Sequence, residues 1–179
     1  MQPGAGAATP LQRRRLVLAI TAGTLALTQR PGEVLVGLDL GLFTFDLGTG
    51  ELRALCQVEP ATHDHRLNDG RCDARGRLWV GTMDNQLSRP HGAFYRIDPS
   101  GNVLQIEKDV IVSNSIGFSP GNDRVYFSDT RRYTTWQYDL DVVSGTVGPK
   151  QVFVDHTPTR SRPDGICVDA QGHVWTAIF

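Results

Sequence analysis

One stretch of the chain, Arg66-Leu67-Asn68-Asp69-Gly70-Arg71-Cys72-Asp73-Ala74-Arg75-Gly76-Arg77-Leu78-Trp79-Val80-Gly81-Thr82-Met83, recurs twice in weakened form. The second copy runs from Asn114-Ser115-Ile116-Gly117-Phe118-Ser119-Pro120 to Asp123-Arg124-Val125-Tyr126-Phe127-Ser128-Asp129-Thr130. The third is Pro163-Asp164-Gly165-Ile166-Cys167-Val168-Asp169-Ala170-Gln171-Gly172-His173-Val174-Trp175-Thr176-Ala177. Each copy opens on a polar residue, passes through a small residue and a short apolar strand, turns on Asp, Gly or Asn, and returns along an aromatic strand. The opening residues Asn68, Asn114 and Asp164 are 46 and 50 residues apart. A period of roughly 40 to 50 residues with several short strands per period is the pattern of a β-propeller, whose blades radiate from a central channel.

That architecture gives the opening residues a special place. The innermost strand of each blade lines the channel, so equivalent positions on successive blades converge on one axis. Two amides and a carboxylate gathered there suit a hard divalent cation or a polyol. The alternative is that Asn68, Asn114 and Asp164 only satisfy backbone groups at strand ends.

The rest of the chain reads as nearly all β. Thr24–Thr28, Val34–Leu38, Leu42–Asp46 and Leu52–Cys56 are four strand-sized segments separated by Arg30-Pro31-Gly32 and Gly48-Thr49-Gly50 turns, enough for one blade. Further strands are expected at Leu78–Thr82, Ala93–Ile97, Val103–Ile106, Ile116–Phe118, Val125–Ser128, Thr135–Tyr138, Gln151–Val154 and Val174–Phe179. No segment carries a sustained helical period of apolar residues. Residues 23–179 therefore supply about three and a half blades where closure needs at least four, so an incomplete propeller is expected, with Asn114 and Asp164 facing open solvent. Residues 1–22 are expected to be a disordered or atypical extension; Arg13-Arg14-Arg15 before Leu16-Val17-Leu18-Ala19-Ile20 has the look of an export signal, but Thr21, Gly23 and Thr24 interrupt it and no Ala-x-Ala follows.

Composition excludes little but is useful in two places. A net charge of −1 gives no sign of nucleic-acid or anionic-membrane partners. Cys56, Cys72 and Cys167 are odd in number and lack CxxC spacing, which argues against a disulfide framework or structural zinc and favours a cytoplasmic setting. Cys72 and Cys167 hold equivalent places in two copies and read as small core filler, as Trp79, Trp136 and Trp175 read as core aromatics. His63, His65 and His91 sit in polar connections and read as surface residues rather than a zinc site. Ser119 lies on a hairpin turn and does not form a nucleophile elbow. Asp129-Thr130-Arg131-Arg132 reads as a solvated strand end.

Taken together in order, Arg66-Leu67-Asn68-Asp69-Gly70, Gly76-Arg77-Leu78-Trp79-Val80-Gly81-Thr82-Met83, Ser113-Asn114-Ser115-Ile116-Gly117-Phe118-Ser119 and Arg162-Pro163-Asp164-Gly165-Ile166-Cys167-Val168-Asp169 resemble the senescence marker protein/regucalcin/gluconolactonase family over residues 23–179. The resemblance implies a six-bladed β-propeller that opens sugar lactones with a divalent metal, be it calcium, zinc, manganese or magnesium. It implies that Asn114 and Asp164 are metal ligands, that Asp164 is also the catalytic acid/base, and that Arg66 and Asn68 bind the substrate. The family's third ligand, a Glu in a Glu-Gly-Pro-x-Trp motif, has no counterpart here, and Glu33 in Pro31-Gly32-Glu33-Val34-Leu35 does not match it. The second reading implied is a non-catalytic calcium- or ligand-binding propeller, or an inactive fragment.

Overall fold

Alternating apolar positions, Gly-containing turns and the lack of helical periodicity produce strands and little else. The computed structural model describes residues 22–62 and 64–179. Among these, the first sheet is β1 (Ala22–Leu27), β2 (Glu33–Leu38), β3 (Gly41–Asp46) and β4 (Leu52–Gln57), and the second is β5 (His65–Cys72), β6 (Leu78–Asp84), β7 (Gly92–Ile97) and β8 (Val103–Val110), each antiparallel in sequence order. The third has β9 (Ser113–Phe118), β10 (Arg124–Asp129) and β11 (Thr134–Asp141) in order. The short β12 (Thr146–Val147) and β13 (Gln151–Asp155) share the far edge of β11. The fourth is the hairpin β14 (Pro163–Val168) and β15 (Val174–Ile178). This all-antiparallel arrangement is consistent with the β-propeller family. The expected N-terminal extension, up to residue 21, and His63 lie outside the described residues.

The first strands of the four sheets are neighbours: β1 lies against β5, β5 against β9, and β9 against β14. The sheets pack face to face through the alternation of β6 and β7. Leu78 and Val80 point into one core with Leu42, Leu67, Ala93, Tyr95 and Ile97, between the first two sheets. Trp79 and Phe94, one residue out of step, point into the other, with Ile116, Val125, Phe127, Tyr138 and Leu140 of the third sheet. Stacking of Phe94 on Phe127 at 4.3 Å between ring centroids joins the second and third sheets. A Cβ on Gly81 would overlap the Ser113 side chain, so glycine there lets β6 approach the start of β9.

Three expectations are corrected by packing. Trp79 is buried, but Trp175, its counterpart in the fourth sheet, is 62% exposed, because β15 has no third strand beside it among the described residues. Cys167 on β14 is also exposed, whereas Cys72 packs against the first core; all three cysteines are free thiols. The Asp129-Thr130 segment is not solvated. Asp129 is fully buried and accepts the Ile111, Val112 and Arg131 N–H groups, capping a single 3₁₀ turn at Thr130–Arg132.

Candidate functional site

The opening residues of the three copies stand on the first strands of three adjacent sheets: Asn68 on β5, Asn114 on β9 and Asp164 on β14. Asn68 and Asn114 meet. Asn68 Nδ2 donates to Asn114 Oδ1 at 3.0 Å and to the Ser113 carbonyl at 2.7 Å. The strand-end role weighed against a site is thus present, and so is the side-chain convergence. Both N–H groups of Asn68 are used, so its Oδ1 is the end left to accept. Asn114 is buried rather than open to solvent, and its own Nδ2 donates to Thr130 Oγ1 at 2.9 Å. Asp164 is exposed, as expected. Its carbonyl accepts the Ser115 hydroxyl, and its carboxylate has no hydrogen bond or ion pair among the described residues.

Arg66 takes no part in these hydrogen bonds. Its Nη1 donates to Asn85 Oδ1 at 2.7 Å, on the loop after β6. Next to that pair opens a cavity of about 420 Å³ lined by Asp39, Gln57, Thr62, His65 and Asn85 among others. His65 is half-buried, its Nδ1 lies 3.1 Å from Glu59 Oε2, and its ring is 5.4 Å from that of His91. Among the described residues no three His, Cys, Asp or Glu side chains gather as a metal cluster.

Several residues at the junction carry no signal in the repeat. Asp69 accepts the Ile116 N–H at 2.9 Å, tying β5 to β9. Burial pushes its carboxyl above the usual carboxylate range; backbone hydrogen bonds and Arg71 pull it back, and the negative charge of Asp164 adds to the rise. Arg71 Nη2 reaches the Ile166 carbonyl at 3.1 Å, tying β5 to β14. Ser115 holds a left-handed backbone, φ +56°, inside a buried strand, where glycine would be the inexpensive choice. A positive φ cannot be read from residue type, and Thr130 lies outside the repeat's polar position, so neither was identifiable beforehand.

The donor chemistry can be tested against the cation that the sequence implies. Asn114 Oδ1 has one lone pair engaged by Asn68 and one remaining, and Asp164 supplies an exposed carboxylate. A neutral amide oxygen with a carboxylate is a hard oxygen set, suited to calcium, magnesium or manganese, with water completing the shell. In donor chemistry the two side chains suit a divalent cation.

Comparison with known proteins agrees in kind. The sequence pattern described as SMP-30/Gluconolactonase/LRE-like region matches residues 6–179. An L-arabinolactonase of Azospirillum brasilense is 36% identical over 158 residues, covering 85% of this chain and 51% of its own. A 6-deoxy-6-sulfogluconolactonase of Pseudomonas putida is 34% identical over 150 residues, 83% and 51% respectively. The crystal structure of a calcium-binding protein, regucalcin, from Agrobacterium tumefaciens superposes with a TM-score of 0.85 at 34% identity, over 90% of this chain and 55% of that one. The chain spans about half the length of the curated relatives it matches.

Proposed function

The chain belongs to the SMP-30/gluconolactonase/LRE-like family, and from that premise we propose that the protein is a sugar-lactone hydrolase dependent on a divalent cation held by Asn114 and Asp164. The observation that carries the reading is the junction of Asn68 with Asn114, beside the Ser115 tie to Asp164, built by the same repeat position on three adjacent sheets. Relatives named as lactonases support the reaction class. In this reading residues 23–179 form part of a six-bladed propeller, with the first three sheets as whole blades and β14–β15 as the inner half of a fourth. The three free thiols suit the cytoplasm.

A bound divalent cation supplies Lewis acidity to the lactone carbonyl and to a water molecule. The chain's own residues do the rest. Asp164 takes the proton from the attacking water, whose oxygen bonds to the carbonyl carbon. The ring C–O bond then breaks, and the leaving alkoxide receives that proton, giving the open hydroxy acid. Arg66 donates to sugar oxygens or to the new carboxylate, with Asn85 fixing its direction. Asn68 Oδ1 accepts a sugar hydroxyl.

The second reading is a non-catalytic calcium-binding propeller, favoured by the likeness to the calcium-binding protein from Agrobacterium tumefaciens. Acid release from glucono- and arabinonolactone, followed in a pH-stat with calcium or manganese present, separates the two. The lactonase reading expects turnover, and loss of about 10²-fold or more in Asp164→Asn with an unchanged far-ultraviolet spectrum. Full turnover by Asp164→Asn removes its catalytic role. Calcium binding without any hydrolysis leaves the second reading.

A further inference from the structure

One hydroxyl touches the supports of both candidate ligands. Thr130 Oγ1 accepts from Asn114 Nδ2 at 2.9 Å and donates to the Pro163 carbonyl at 2.6 Å, immediately before Asp164. Thr130 is 2% exposed, and it belongs to neither β9 nor β14 but to the turn after β10. Its position is fixed from several sides. Its N–H donates to the Val112 carbonyl at 3.0 Å, and the preceding Asp129 carboxylate caps the turn and lies 3.2 Å from Arg132 Nε. A continuous chain of hydrogen bonds therefore runs from Asn68 through Asn114 and Thr130 to the backbone of β14. Beside it, the strained Ser115 makes a second tie, from β9 to the Asp164 carbonyl.

The amide of Asn114 has two ends, and only its oxygen can ligate a cation. An acceptor fixed at Nδ2 sets which way the amide faces. We propose that Thr130 is a positioning residue: its hydroxyl orients the Asn114 amide, oxygen toward Asn68, and joins that amide to the strand carrying Asp164. The inference rests on the reading of Asn114 and Asp164 as cation ligands for its purpose, but the orientation itself is independent of any metal. Removing the hydroxyl while keeping the shape leaves Nδ2 and the Pro163 carbonyl without their partner and the amide held at its oxygen end alone, by Asn68. Groups that orient metal ligands in this way are worth about 10–100-fold in affinity.

The test uses the full chain labelled with ¹⁵N-asparagine, with the Asn114 side-chain signals assigned by their loss in Asn114→Ala. In the wild-type chain the Asn114 Nδ2 protons should exchange with water far more slowly than a free asparagine side chain; exchange at the free rate overturns the proposal before any variant is made. Thr130→Val should bring exchange close to the free rate, and Thr130→Ser, which keeps the hydroxyl, should retain protection. Protection unchanged in Thr130→Val, or lost equally in Thr130→Ser, contradicts the assignment. Calcium chloride titrated into the same samples should show Thr130→Val weakened by about 10–100-fold, with Thr130→Ser near wild type. Slow exchange and its loss in Thr130→Val, seen in a chain that takes up no calcium, uphold the positioning role and instead refute the cation site.

Discussion

Arg66 carries its positive charge against a neutral partner, the Asn85 amide. That pairing fixes the guanidinium's direction without neutralising it, as suits a group that must bind sugar oxygens or a developing carboxylate. Removing a contact made equally in the ground and transition states raises KM and leaves kcat alone. Arg66→Ala is therefore expected to raise KM for lactone hydrolysis by about tenfold or more with kcat within a factor of about two, measured by initial rates across substrate concentration. A fall in kcat at unchanged KM would place Arg66 in the chemistry instead. At this scale, the placement of Asn68, Asn114 and Asp164 on equivalent strands was legible because the repeat sets them there. Asn85, Ser115 and Thr130 were not: a loop side chain, a backbone dihedral and a turn that looks solvated leave no periodic trace, and each acts through contacts with residues far away in sequence.

The same turn, built twice, shows how an element's surroundings set its energetic weight. In the β5–β6 turn, Asp73 accepts from the N–H groups of Arg75 and Arg77, from Arg77 Nε at 2.7 Å and from Trp79 Nε1 at 3.0 Å. In the β14–β15 turn, Asp169 accepts from the N–H groups of Gln171 and His173 and from Trp175 Nε1 at 3.1 Å, with His173 Nδ1 at 2.9 Å. Asp73 and Arg77 are buried, and Arg77 extends to the Val142 carbonyl of the third sheet at 2.6 Å; Asp169 is only half-buried and His173 is exposed. Truncating one partner of a buried pair costs about 3–5 kcal/mol. Thermal melts of Asp73→Ala should show a loss of that order, and those of Asp169→Ala only a small fraction of it; equal losses would mean that the turn is governed locally. Burial pushes the Asp73 carboxyl up, but hydrogen bonds from Trp79, Arg77 and Arg75 outweigh it and hold the carboxyl below its usual value. Its contribution is thus present above the ordinary carboxylate range and lost as pH falls through the lowered value, so acid should flatten the difference between wild type and Asp73→Ala. Element boundaries were legible to within a residue or two for most apolar strands. The exceptions were polar β5, whose alternation is masked by Arg66, Asn68, Asp69 and Arg71, the two-residue β12, and β8, β9 and β11, which run on past their expected bounds into polar residues.

On the scale of the whole molecule, sheets are held together by two cores, and the first and last strands of the described chain leave apolar side chains in water. Leu25 and Leu27 on β1, and Trp175, Ile178 and Phe179 at or after β15, are each more than 40% exposed. The inner strands are held by a different kind of contact, polar and long in sequence: Asn68 to Asn114, Asp69 to Ile116, Arg71 to Ile166, Thr130 to Pro163. The convergence of β5, β9 and β14 could be expected from the repeat because blades share an axis, but the network that spaces them could not, since it uses backbone carbonyls and turn residues. Whether that convergence holds a cation decides the function of these strands. Calorimetric titration of the 179-residue chain with calcium, repeated with Asp164→Asn, measures this directly. Two protein oxygens with water completing the shell predict one site with a Kd weaker than about 1 μM, and at least tenfold weaker in Asp164→Asn. Tight binding that Asp164→Asn leaves unchanged would contradict the site, and so would the absence of any binding heat in the wild-type chain.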